Sequence, residues 1–349
     1  MQKILDRSAA GEELTHKDVV RLFSADPEER ELLFETARKI RDREYGDKIF
    51  TYGFVYFSTY CRNDCSFCYF RRTSGLERYR KSVDEIVELS KNLRDAGINL
   101  VDLTMGEDPM MYRDDCTMLL EIISAVRNAV DIGIMVSPGA VPKEIFPKMR
   151  EAGADFYACY QETYNRDLFT KLRVEQDYQT RIDVRKWAKQ AGMLTEDGMM
   201  TGLGETVEDK ADFVMRMGSQ GCEQIRAMTF VPQDGTPMSD MNAPDSTDEL
   251  LAIAIMRIMY PDKIIPATLD VEGISGMVDR INAGANLITS IVPHNRKLAG
   301  VAQHELDIDT GYRSVEHVFK ILREIGKRPA TNEEFQEMME TKRKGMGGC

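Results

Sequence analysis

The chain has 349 residues, 42% of them hydrophobic, and its 58 Asp and Glu outnumber 46 Lys and Arg for a formal net charge of -12. That length can bury the core of one large domain or two. The acidic balance excludes nonspecific nucleic-acid binding, which relies on Lys and Arg to neutralise phosphates, and no apolar run approaches the ~20 residues of a membrane span.

The opening Met1-Gln-Lys-Ile-Leu-Asp-Arg has no hydrophobic signal core, so a soluble, cytoplasmic and reducing setting is expected. Asp26-Pro27-Glu28-Glu29 reads as N-cap, N1 proline and acidic first turn. It opens a helix through about Arg43 that packs outside the fold or closes its lower end. From residue 51 onward, short apolar runs alternate with amphipathic stretches. Strands are predicted over 51–60, 99–104, 133–137, 155–161, 199–202, 224–230, 264–270 and 286–292. Ser82-Val-Asp-Glu85 has capping-box spacing ahead of a helix over 85–96, and Thr206-Val-Glu-Asp209 opens a similar one. Two further helices are predicted over 313–325 and 332–343, the second capped by Thr331 with Glu334, before a disordered tail over 344–349.

Eight strand–helix units in about 250 residues match an α/β fold of the (β/α)8 TIM-type barrel class with N-terminal and C-terminal helical extensions. The expected division is a helical extension over 1–48, the barrel over 49–300, and C-terminal helices with their tail over 301–349. An open doubly wound sheet is the alternative. No strand–helix turn carries a full G-x-G-x-x-G, however, and Gly202-Leu-Gly204 lacks the third glycine.

Cys61, Cys65 and Cys68 form a C-x3-C-x2-C run directly after the first predicted strand. In a barrel that loop lies at the C-terminal ends of the strands, where catalytic residues gather. Three such thiolates can hold three irons of a [4Fe–4S] cube, leaving one iron without a protein ligand and open to chemistry. A structural zinc site needs four ligands, and no histidine lies between His16 and His294. A disulfide is a poor fit to an odd number of thiols, and unligated thiols remain the other alternative. Cys116, Cys159, Cys222 and Cys349 contain no C-x2-C pair. They read as small hydrophobes, with Cys349 on a mobile end, and give no second cluster. An electron carrier or structural cluster protein would need four protein ligands and no charged lumen.

Several strand ends carry polar groups. Gly106-Glu107-Asp108 follows the second strand, Ser137 ends the third and Glu162 the fourth, with Tyr160 on its face and Cys159 directed outward. Arg173 and Arg181 follow as forks suited to carboxylates, with an exposed salt-bridge partner the alternative for each. Arg226 sits inside an apolar strand, where it needs an anion. Thr268, Asp270 and Glu272 share one face by period two. Arg226 opposite Asp108 and Asp270 suits a zwitterionic ligand.

The cysteine spacing, with aromatic Phe67 before the last cysteine, resembles the radical S-adenosylmethionine (SAM) superfamily. The resemblance implies a SAM molecule chelated to the open iron, cleaved to a 5′-deoxyadenosyl radical. It further implies that Glu107 takes the SAM amino group, and that Phe67, Tyr69, Ser137, Glu162, Arg173, Arg181 and Gly204 belong to the SAM site. In the biotin synthase-like branch, Thr-Met-Gly-Glu107-Asp108-Pro, Tyr-Gln-Glu162-Thr-Tyr and Lys-Leu-Arg173-Val are similar to the methylornithine synthase family, which opens pyrrolysine biosynthesis. That closer resemblance implies a lysine mutase forming (3R)-3-methyl-D-ornithine by hydrogen abstraction, fragmentation and recombination. Asp108, Arg226, Thr268 and Asp270 would hold the amino acid, and a flavodoxin or ferredoxin would supply the electron. The chain departs from the family where Thr268 replaces a serine and Met110 and Met111 replace aromatics. The alternative is another member of the branch, such as a hydrogenase maturase acting on a different small molecule.

Overall fold

The computed structural model describes residues 1–293, 298, 300 and 314–346. Its strands are β1 (Lys48–Ser58), β2 (Leu100–Met105), β3 (Gly133–Ser137), β4 (Phe156–Ala158), β5 (Leu194–Thr201), β6 (Gln224–Thr229), β7 (Pro266–Thr268), β8 (Leu287–Ile291) and β9 (Arg328–Pro329). The first eight stand in the order β6-β5-β4-β3-β2-β1-β8-β7, every ladder parallel. This is the predicted (β/α)8-type barrel. Among the described residues it is joined between β6 and β7 only near the base, where Ile225 N donates to Ile264 O and Ile264 N to Glu223 O, each at 3.0 Å.

Period-two alternation places Tyr52, Phe54 and Tyr56 of β1 in one ladder of rings, with centroids 4.9 and 5.1 Å apart. The predicted caps are present. Ser82 with Glu85, Thr206 with Asp209 and Asp26 with Glu29 each form a reciprocal capping box that satisfies orphan amides of the first turn. The helix Pro27–Tyr45 lies on the outer wall. Arg41 donates to the carbonyl of Ile281, and Tyr45 Oη to Asp262 O at 2.5 Å, fixing the end of the helix near the base.

Several features differ from the sequence reading, among them β5, which begins at Leu194 and not at 199, and β4 and β7, which are shorter than predicted. Helices Gln2–Ala9 and His16–Phe23 precede the first predicted one. β9 extends β1 at the base. The last helix, Asn332–Met346, continues through three residues of the tail expected to be disordered, while Cys349 lies outside the described residues. Its buried Phe335 packs edge-on against Phe50, centroids 5.4 Å apart, and seals the barrel from below.

Candidate active site

The loop after β1 is tied to its neighbours by backbone. Arg62 N donates to Glu107 O and Ser66 N to Leu172 O, each at 2.9 Å. Gly106 makes the first approach possible, because a Cβ there would stand 2.4 Å from Tyr60 O and 2.8 Å from Cys61 Cβ. Phe67 anchors the other side of the loop among Leu172, Leu203 and Phe230. Cys61, Cys65 and Cys68 thereby line one cavity above the lumen.

The donor set fits a cluster. Cys65 Sγ receives Gln176 Nε2 at 3.0 Å and Arg173 Nη1 at 3.6 Å, and Cys61 Sγ receives Asn63 N at 3.4 Å. Such bonds suit thiolate sulfurs bonded to iron. Burial pushes the Cys61 and Cys68 thiols up, so a bound cation is what would favour their thiolates. Among the described residues no three Cys, His, Asp or Glu are grouped for a single ion, as tetrahedral zinc requires. A cube instead takes its thiolates at separate corners.

Most residues expected around SAM share this cavity: Phe67, Glu107, Ser137, Glu162, Arg173 and Arg181. Glu107 is held by Arg62 Nε at 2.9 Å, Ala140 N at 3.1 Å and Arg181 Nη1 at 3.5 Å. Glu162, at a left-handed φ of 65°, pairs with Arg173 at 2.5 Å. Glu162 Oε2 and Arg173 Nε are nonetheless buried with no hydrogen-bond partner among the described residues. Burial outweighs the two neighbouring arginines and raises the Glu162 carboxyl above its ordinary value. Orphaned polar atoms of this kind suit a polar ligand.

Tyr69 and Gly204 are not among the lining residues, and Gly204 is exposed on the turn after β5. Cys159, expected to face outward, lines the cavity together with Tyr160 and Glu162. β4 ends at Ala158, so strand alternation no longer governs these residues.

The lumen residues also differ from expectation. Asp108 does not line the cavity. Arg80 takes both of its oxygens, at 2.6 and 2.9 Å, and Ser58 Oγ adds a bond of 2.6 Å. Glu272 turns away to Arg280 and Ser246, because β7 ends at Thr268. Arg226 lines the cavity but already has its anion, Glu196 of β5, at 2.9 Å, and Nη2 donates to Thr289 Oγ1 at 3.1 Å. Thr268 and Asp270 line the same wall, where Asp270 Oδ2 accepts Ser290 Oγ at 2.5 Å and Thr268 Oγ1 at 3.0 Å.

Sequence reasoning missed Asp102, a buried cavity-lining carboxylate on β2. Tyr52 Oη donates to its Oδ2 at 2.6 Å, and Ser137 Oγ lies 2.8 and 2.9 Å from its two oxygens. No ion pair to it exists among the described residues. Burial pushes its carboxyl up to about 6 against those hydrogen bonds. The available signal was a charge inside an apolar strand, the same one that singled out Arg226.

Residues 55–216 match the family model of the Radical SAM superfamily. The chain is 41% identical over 335 residues to 3-methylornithine synthase of Methanosarcina barkeri, covering 96% of this chain and 95% of that protein. The crystal structure of a methylornithine synthase superposes with a TM-score of 0.91 at 41% identity, over 96% of this chain and 99% of that one. The [FeFe] hydrogenase maturase subunit HydE of Thermotoga maritima is 32% identical over 262 residues, 74% of this chain and 74% of that protein. By its sequence and its fold, this chain belongs to the 3-methylornithine synthase family of radical SAM enzymes.

Proposed function

We propose that this protein isomerises L-lysine to (3R)-3-methyl-D-ornithine in pyrrolysine biosynthesis. One observation carries the reading: the cysteine triad and a lumen presenting one guanidinium, Arg226, and two carboxylates, Asp102 and Asp270, line a single cavity. Lysine carries the matching set, one carboxylate and two ammonium groups. The maturase alternative rests on lower identity over a smaller part of the chain.

In this reading Cys61, Cys65 and Cys68 hold three irons of a [4Fe–4S] cluster, and Glu107 accepts the amino group of SAM. Glu162 Oε2 and Arg173 Nε offer the remaining polar contacts. When bound and reduced by a low-potential donor such as flavodoxin or ferredoxin, the cluster and SAM would supply a 5′-deoxyadenosyl radical able to take a hydrogen atom from the substrate. Arg226 and Asp270, with Thr268 and Ser290, seat the amino-acid end. Asp102 replaces Asp108 as the partner of the side-chain ammonium. Anchoring both ends has a chemical purpose. Once the skeleton splits, the glycine-derived piece keeps a carboxylate and an ammonium, and the alkene piece keeps the other ammonium. Each stays tethered until they rejoin. Phe54, Met200 and Met228 line the cavity with apolar surface that excludes water from the radicals.

The test is anaerobic incubation of reduced protein with SAM and isotope-labelled lysine. An isomer of unchanged mass is the expected product. Release of 5′-deoxyadenosine with no isomer overturns the lysine reading, and a chromophore indifferent to SAM overturns the radical reading.

A further inference from the structure

Gln176 belongs to none of the motifs above, yet its amide joins the cysteine loop to the expected SAM site. The helix Arg166–Leu172 ends just before it. Glu175 then adopts a left-handed φ of 61°, a conformation costly for a residue with a side chain, and Gln176 N closes the turn on Arg173 O at 3.0 Å. This reversal brings Nε2 to 3.0 Å from Cys65 Sγ and Oε1 to 3.1 Å from Arg181 Nη1. The amide orientation is decided by its partner. A guanidinium only donates, so the atom facing Arg181 is the oxygen and the NH2 faces sulfur. Arg181 continues to Glu107 Oε1 at 3.5 Å and to Tyr160 O at 2.8 and 3.2 Å. Three polar contacts therefore connect a cysteine sulfur with the carboxylate assigned to the SAM amino group.

We propose that Gln176 is a positioning residue that sets the reduction potential of the cluster held by Cys65 and couples it to SAM occupancy through Arg181 and Glu107. The inference rests on the radical SAM reading above. A donor on a cluster sulfur stabilises the extra negative charge of the reduced state and so makes reduction easier. Arg173 offers a longer contact, 3.6 Å, and is shared with Glu162. The neutral amide makes the shorter contact, and among the described residues Cys65 Sγ is the one acceptor of its NH2 group.

Two variants separate the halves of the device. Gln176→Glu keeps the acceptor for Arg181 and removes the donor to sulfur. Gln176→Met removes both at similar length and without charge. The measurement is a redox titration of the reconstituted protein followed by electron paramagnetic resonance, with and without SAM. In both variants the reduced-to-oxidised ratio at fixed poise falls about tenfold, equal to about 59 mV for one electron. The shift produced by SAM survives in Gln176→Glu and shrinks in Gln176→Met. Potentials equal to wild type in both variants, with the cluster signal intact, overturn the proposal. So does loss of the cluster from both, which would assign Gln176 to assembly. No [4Fe–4S] signal in wild type overturns the radical SAM reading itself.

Discussion

Arg80 grips Asp108 with two prongs, Nε on Oδ2 at 2.6 Å and Nη2 on Oδ1 at 2.9 Å, while its guanidinium stacks 3.7 Å over the Tyr60 ring. The pair joins the far end of the cysteine loop to the end of β2. Burial opposes the Asp108 charge, but Arg80 and Ser58 outweigh it and hold the carboxyl below its ordinary value. Asp108→Asn is therefore expected to lose about 1.5–3 kcal/mol of stability in urea unfolding at pH 7. A depressed folded pKa gives stability that is present above the unfolded value and lost as pH falls through the folded one, so the gap to wild type closes below about pH 4. Lysine KM should stay within about twofold, and a tenfold rise would return Asp108 to the substrate site.

Asp102 has the opposite sign. Its folded carboxyl titrates at about 6 because of burial. The folded state therefore holds the proton more tightly, and stability is lost as pH rises from about 4 to about 6 and stays lost above. At pH 8 Asp102→Asn should be more stable than wild type by about 3 kcal/mol, with no difference near pH 3.5. It should also bind lysine about 10- to 100-fold more weakly, while wild-type affinity climbs with pH through 6. A variant less stable than wild type at pH 8 would make this carboxylate a structural group.

Arg226 and Glu196 are both buried and depend on each other. Arg226→Met leaves an uncompensated carboxylate inside the barrel, expected to cost about 3–5 kcal/mol. Adding Glu196→Gln should restore most of that loss in a double-mutant cycle on urea midpoints. Additive losses would show that the two charges are stabilised independently.

Gly139 supports Glu107. At its φ of 82° an added Cβ would stand 2.1 Å from Glu107 Cγ and 2.5 Å from Oε1. Gly139→Ala should displace that carboxylate and weaken SAM binding by about tenfold or more, roughly 1.4 kcal/mol. Gly204→Ala is the control. It shares the backbone strain at φ 101° but has nothing within 4 Å, so SAM affinity measured by calorimetry should hold. Equal losses in both variants would point to strain instead of displacement.

Much of the architecture was legible because its signals are local. Capping boxes at Ser82 and Thr206 and the alternation of apolar runs lie within a few residues of each other. The cysteine spacing is equally local. Glu196 was hidden because the first half of β5 reads Leu-Thr-Glu-Asp, polar in a strand buried along nearly its whole length. Asp108 was misread for a different reason. Its partner Arg80 stands 28 residues before it in the chain, across a loop whose path no periodicity reveals. Gly204 shows the limit of motif spacing, since a glycine pair after a strand says nothing about which way the turn projects.

The barrel is completed by a ladder joining Phe50 to Leu287. Thr289 of that closing strand supplies a hydrogen bond to Arg226. A pairing between strands so distant in sequence must close a long loop before it gains anything, and it is expected to form late in folding. On a ribosome, β1 through β7 would emerge with the lumen still wet and its charges hydrated. Desolvation of Arg226 and Glu196 would then coincide with the docking of β8. The polar heart of the enzyme is thus expected to fold late, and chain shortening before residue 287 should leave a collapsed but unsealed intermediate prone to association.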